Sequence, residues 1–245
     1  MKYKKFNIFK CDKKDLSNFI YLINHEIKNK NKKYNNDLSN LHKYVDKDDI
    51  NLLRLKCFTK LNSINWKNTM KKILLKNLTL LLGPDLLVQS KINLSIQVPN
   101  DKNSILPSHS DSWSSDTPFQ INCWIPLTNA FSTNSMFILN KKTTINSFKS
   151  ISKHDKFKTN KISKKDFINL NFGNYILFNP AFLHGNVENK TNKTRVSINL
   201  RFKSVFSPEP DEYHQDRKFG TYYQKFSISE NTKFALEIID TEILK

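Results

Sequence analysis

The chain has 245 residues, of which 38% are hydrophobic and 12% aromatic, with 18 phenylalanines. That is enough apolar surface for a core without staples, so it excludes intrinsic disorder and suits one medium-sized domain. The net charge of +18 rests almost wholly on scattered lysines, since Arg54, Arg195, Arg201 and Arg217 are the only arginines. Scattered Lys reads as solvated surface, whereas nucleic-acid readers cluster Arg for its bidentate fork.

The opening "MKYKKFNIFKCDKKD" is basic but has no long apolar run and no small-residue cleavage site, so it is not read as a signal peptide. Cys11, Cys57 and Cys123 are far apart and odd in number, which fits neither a disulfide framework nor a paired-cysteine metal site. A reducing, cytoplasmic location is the resulting expectation. The first third reads as helical. Leu16, Phe19, Ile20, Leu22, Ile23 and Ile27 fit one helical face, with Asp15 as a candidate start. A second helical stretch runs from about residue 48 to a stop at Gly83-Pro84. The apolar run "LTLLLGPDLLV" is broken by Gly-Pro-Asp and is too short to span a bilayer.

From about residue 88 the texture changes to short strand-like segments: "INLSIQV", "FQINCWIPL", "SMFILN", "NYILFN" and "RVSINLRFKSVF". Turn-rich pieces separate them. A long polar stretch over 141–165 reads as a surface loop or lid. Helices first and many short strands after predict a mainly β domain, a sandwich or jelly roll flanked by helices.

Two pieces of sequence carry chemistry. In "PSHSDSW", an extended backbone would turn His109 and Asp111 to one side, half of a metal site. In "FNPAFLHGNVENKTNKTRVSINLRF", His184 follows a strand and a Pro180 turn, and Gly185 permits a close backbone approach. The strand "RVSINLRF" then places Arg195, Ser197, Asn199 and Arg201 on one face and Val196, Ile198, Leu200 and Phe202 on the other. In a chain that otherwise uses Lys, Arg195 suggests a need for a rigid fork that grips a carboxylate, with Ser197 adding a hydroxyl. A solvent-facing polar strand side is the ordinary alternative.

Taken in order, His-x-Asp, a distant His and an Arg-x-Ser after it resemble the Fe(II)- and 2-oxoglutarate-dependent dioxygenases. The chain looks closest to the phytanoyl-CoA hydroxylase-like branch, which includes oxygenases of streptomycin-type and sporadic carbohydrate gene clusters. The resemblance covers roughly residues 90–205. It implies a double-stranded β-helix of cupin type and a single domain over 1–245. Residues 1–88 would give helical support, 89–206 the core, and 207–245 a C-terminal extension. It also implies that His109, Asp111 and His184 hold Fe(II) and that Arg195 and Ser197 bind the distal carboxylate of 2-oxoglutarate, with O₂ as the oxidant. Asn122, and more remotely Gln97, would touch 2-oxoglutarate. Trp113 would line the substrate mouth. Relatives that halogenate replace the carboxylate ligand by a small residue; Asp111 is kept, so hydroxylation or a related oxidation is implied. The implied substrate is a small metabolite, a sugar, nucleotide-sugar or other carbohydrate-derived compound, with no nucleic-acid partner and no membrane span. Two rivals remain: a cupin-type isomerase or non-oxidative metal enzyme, and a basic protein that binds anions or nucleic acid.

Overall fold

The computed structural model describes residues 5–113, 116–150, 161–208 and 218–239. Strand β1 (Phe6–Lys10) comes first, followed by three helices: α1 (Ser17–Lys30), α2 (Ile50–Asn62) and α3 (Trp66–Leu82). Each helix buries one stripe at helical spacing. Phe19, Ile23 and Ile27 serve α1, Leu53, Cys57 and Leu61 serve α2, and Met70, Ile73, Leu74 and Leu78 serve α3. The stop at Gly83 is where expected: its φ of 86° is open to glycine at little cost, and Pro84 cannot continue the helix. Helix α1 starts two residues after the candidate Asp15. Asp12 instead caps a short 3₁₀ turn over Lys13–Leu16 by accepting from the Lys14 N–H.

The main sheet is antiparallel, in the order β1–β6–β4–β8–β2–β9. Its strands are β2 (Leu86–Gln89), β3 (Asn93–Gln97), β4 (Ile121–Pro126), β6 (Asn174–Phe178), β8 (Arg195–Ser204) and β9 (Tyr223–Ser227), with β1 at one edge. Strand β8 is the axis. One of its sides pairs with β4, and the other with β3 and β2, which lie end to end. A second, smaller sheet joins β5 (Phe137–Ile138) to β7 (His184–Gly185), and single bridges extend it to His109 and Phe167.

The alternation in β8 divides the molecule into layers. Val196, Ile198, Leu200 and Phe202 are buried with the helices in one large core that also holds Leu94, Ile96, Cys123, Ile125 and Leu177. Burying each such side chain stabilises by about 1.5–3 kcal/mol. Trp124, Ile176 and Phe178 point the other way and pack with Met136, Ile138, Ile168 and Phe182 below the small sheet. On the polar face of β8, Arg195 and Ser197 are therefore buried between the layers and Arg201 is half-buried, while Asn199 reaches solvent.

Three stretches differ from the sequence reading. Residues 6–10, read as no more than a basic terminus, form β1 and pair with β6. The polar stretch expected as a loop opens with helix α4 (Lys141–Ser150), while 151–160 lie outside the described residues. The region expected as a mere extension after 206 supplies β9 to the sheet and then helix α5 (Glu230–Ile239). No helix among the described residues is long and apolar enough to cross a membrane.

Asn62 ties helix to sheet. Its Nδ2 donates to the carbonyls of Phe58 and Ile92, and its Oδ1 accepts from the Ile92 N–H at 2.8 Å. Ile92 is fully buried, so no water can replace those bonds. Asn62→Ala is expected to lower unfolding free energy by about 2 kcal/mol, read from the denaturant midpoint.

Candidate functional site

Backbone pairing builds the site before any side chain does. The His109 N–H donates to the His184 carbonyl at 3.0 Å, and the His184 N–H returns the bond at 2.9 Å. The Asp111 N–H donates to the Pro180 carbonyl. This close approach explains Gly185: a Cβ there would lie 2.6 Å from the Leu106 carbonyl oxygen and 2.8 Å from that of Pro107. Asn186 completes the stitching, since its N–H donates to the Leu106 carbonyl and its Nδ2 to the Ser104 carbonyl.

The three expected ligands meet. Each offers one atom, and these atoms all lie within 4.8 Å of one another. His109 Nε2 is 3.5 Å and His184 Nε2 3.9 Å from the same oxygen, Asp111 Oδ1. The tautomers are set from behind. His109 Nδ1 lies 2.8 Å from the Pro107 carbonyl, and His184 Nδ1 lies 2.8 Å from that of Phe182. A carbonyl only accepts, so each Nδ1 carries a proton and each Nε2 is turned toward Asp111. Two imidazole lone pairs and a carboxylate oxygen aimed at one point fit a divalent cation. Burial pushes His184 down to about 4, so the ring is neutral at pH 7. Burial would raise the Asp111 carboxyl. The facing His109 ring, the Arg201 guanidinium, His184 and Asn122 outweigh it and hold the group well below the ordinary carboxylate range.

The other oxygen of Asp111 is already engaged. Oδ2 accepts from Asn122 Nδ2 at 2.6 Å and from Arg201 Nη2 at 3.1 Å. Asn122 is in turn oriented by Gln120, and Gln120 by the Tyr223 hydroxyl. Arg201 Nε lies 2.9 Å from Asp116 Oδ2. Burial works against charge on Arg201, but Asp111, Tyr222 and Asp116 prevail and keep its pKa raised.

Arg195 is 3% exposed and shares a face of β8 with Arg201. Its hydrogen-bond partners among the described residues are all neutral. Nε donates to the Asn134 carbonyl, Nη1 to Ser95 Oγ and Ser197 Oγ, and Nη2 to Gln97 Oε1. Trp124 lies under the guanidinium, 6.0 Å away. Among the described residues no carboxylate lies within ion-pair distance of it. Burial lowers its pKa to about 10, which still leaves it charged at pH 7. A cavity of about 130 Å³ runs between Arg195 and the ligand group and is bordered also by Ser95, Asn122, Trp124, Asn199 and Arg201.

The structure thus brings His109, Asp111, His184, Arg195 and Asn122 around one cavity, with Ser197 and Gln97 gripping Arg195 from behind. The amide of Asn122 is spent on Asp111, and that of Gln97 on the Val187 carbonyl. Trp113 stands 41% exposed at the rim, edge-on to Phe148 of α4 at 6.0 Å. Sequence reasoning missed the engagement of Arg201 with Asp111 and Asp116. The signal available was that Arg201 shares a strand face with Arg195.

No family model matches the chain, and no curated protein matches it. Among solved structures, two of a non-heme monooxygenase, ThoJ, are similar. The nickel complex has a TM-score of 0.53 at 16% identity, and the apo form 0.56 at 15%; each alignment covers 84% of this chain and 76% of that one. A structure of HygX from Streptomyces hygroscopicus with nickel and 2-oxoglutarate bound, at 11% identity over 82% of this chain and 83% of that one, has a TM-score of 0.42, too low to add to the assignment. What the likeness to ThoJ establishes is a shared fold: a mostly antiparallel sheet with helices.

Proposed function

We propose that the chain is a non-haem Fe(II)- and 2-oxoglutarate-dependent oxygenase of the phytanoyl-CoA hydroxylase-like branch. The two sheets are read as a double-stranded β-helix, the whole of 1–245 as one domain, and its place as cytoplasmic. The observation that carries the reading is Arg195: a buried guanidinium with only neutral partners, sharing a cavity with a His-Asp-His group. An unpaired buried charge is costly, and a ligand carboxylate removes the cost. Arg195 would hold one carboxylate of a dicarboxylate in the cavity that His109, Asp111 and His184 also line.

In this reading His109, Asp111 and His184 would hold the iron. Arg195 binds the distal carboxylate, and Ser197, Ser95 and Gln97 keep its fork aimed. Asn122 holds Asp111. The iron and 2-oxoglutarate, when bound, supply the oxidising power for a C–H bond. The protein supplies position and a cavity whose apolar walls include Trp124, Met136 and Phe178. The substrate class is a small metabolite reaching the metal past Trp113, and a carbohydrate or carbohydrate-derived compound is proposed on the branch resemblance. The ThoJ fold supports the oxygenase part of this reading.

Anaerobic titration with Fe(II) and then 2-oxoglutarate tests it. The expected result is a visible metal-to-ligand charge-transfer band. Asp111→Ala is expected to lose the band and to weaken metal binding by more than the roughly 10–100-fold typical of changes behind a ligand. Iron binding without the band would end the 2-oxoglutarate reading in favour of a non-oxidative metal enzyme.

A further inference from the structure

We propose that Arg201 is a positioning residue for the metal centre. By engaging Oδ2 of Asp111, it leaves Oδ1 alone to face the imidazoles and makes Asp111 a one-oxygen ligand. The inference rests on the metal-site reading above.

The geometry carries it. Arg201 sits opposite Asn122 in the β4–β8 register, so both side chains rise from neighbouring strands toward the same carboxylate. Arg201 Nη2 and Nε reach Oδ2 at 3.1 and 3.3 Å, and Asn122 Nδ2 reaches it at 2.6 Å. Three donors on one oxygen occupy its lone pairs. Among the described residues Oδ1 faces the two Nε2 atoms. The same guanidinium reaches Asp116, whose N–H donates to the Asp111 carbonyl at 3.0 Å. Arg201 therefore engages both Asp111 and Asp116. Its far side is fixed as well, since Nη1 donates to the Tyr222 hydroxyl at 3.0 Å. Two carboxylates balance its charge, so it is not a free cation awaiting substrate. Its work is directional: it turns the carboxylate. Lysine could replace the charge but not the fork.

Co(II) serves as the probe, with affinity read by titration and coordination by the d–d spectrum. Arg201→Gln is expected to weaken Co(II) binding roughly 10–100-fold and to change the d–d band as the carboxylate turns to offer both oxygens. Arg201→Lys is expected to recover part of the affinity while keeping the altered band. Thermal melts run on the same samples. A lower melting temperature with wild-type affinity and band would show a merely structural role and overturn the proposal. If Arg201→Gln does not fold, Arg201→Lys decides by the same two readouts. Failure of the wild type to bind Co(II) would sink the metal-site reading and this inference with it; equal binding by wild type and variants would sink this inference alone.

Discussion

Arg195→Met is expected to leave metal affinity near its wild-type value while weakening 2-oxoglutarate binding by about 100- to 3,000-fold. Removing one partner of a buried charge pair typically costs about 3–5 kcal/mol, and each 1.4 kcal/mol is tenfold in affinity. The effect is selective because Arg195 touches none of the three ligand side chains; its donors go to Ser95, Ser197, Gln97 and the Asn134 carbonyl. Arg195→Lys should fall between, because lysine keeps the charge but cannot hold Ser197 and Gln97 with separate nitrogens. Isothermal titration of the Ni(II)-loaded protein with 2-oxoglutarate measures both. Undiminished binding by Arg195→Met would place the anion elsewhere in the cavity and remove the main support for the proposed cosubstrate.

Gly185→Ala is expected to cost about 3 kcal/mol of stability, a fall of roughly 10 °C in melting temperature for a chain of this size. It should also abolish tight metal binding. The cause is steric. The added carbon would sit 2.6 and 2.8 Å from two carbonyl oxygens and 3.0 Å from Phe137 Cζ. Those carbonyls are not free to retreat: the one at Leu106 accepts from Asn186, and the one at Pro107 orients His109. Relief must come from separating 106–109 from 184–186, which parts His109 from His184. Gly83→Ala is the contrast. Nothing lies within 4 Å of a Cβ there, so only its backbone at φ 86° and ψ 177°, a region essentially confined to glycine, is penalised, at about 1–3 kcal/mol. Calorimetry on the pair separates a loss of site geometry from a loss of general stability.

Much of this arrangement is written locally, and the rest is not. The two-residue period of "RVSINLRF" announces a strand with a polar and an apolar face, and β8 has them. The stripes of α1 and α3 follow the 3.6-residue period in the same way. Strand β1 is hidden because it is short and flanked by lysines; its identity comes from pairing with β6, a partner far along the chain. Helix α4 is hidden for a related reason. It buries little beyond Thr144, whose hydroxyl accepts from the Leu183 N–H, so no apolar stripe marks it. Within the site, the ligand types and Arg195 are legible as chemistry and order. The grip of Arg201 on Asp111 and Asp116 is not, because a charge on a strand face looks the same whether it meets solvent or a carboxylate from a distant turn.

The amides of His109 and His184 are each sheltered by the other's carbonyl. Deuterium can enter at either position only when the two segments come apart, so its uptake clocks the opening of the site and not of the domain as a whole. A cation that binds only the closed form should slow that uptake by the factor one plus its concentration over its dissociation constant. Two exchanging protons in the peptide chain then report occupancy without any colour, turnover or knowledge of the substrate.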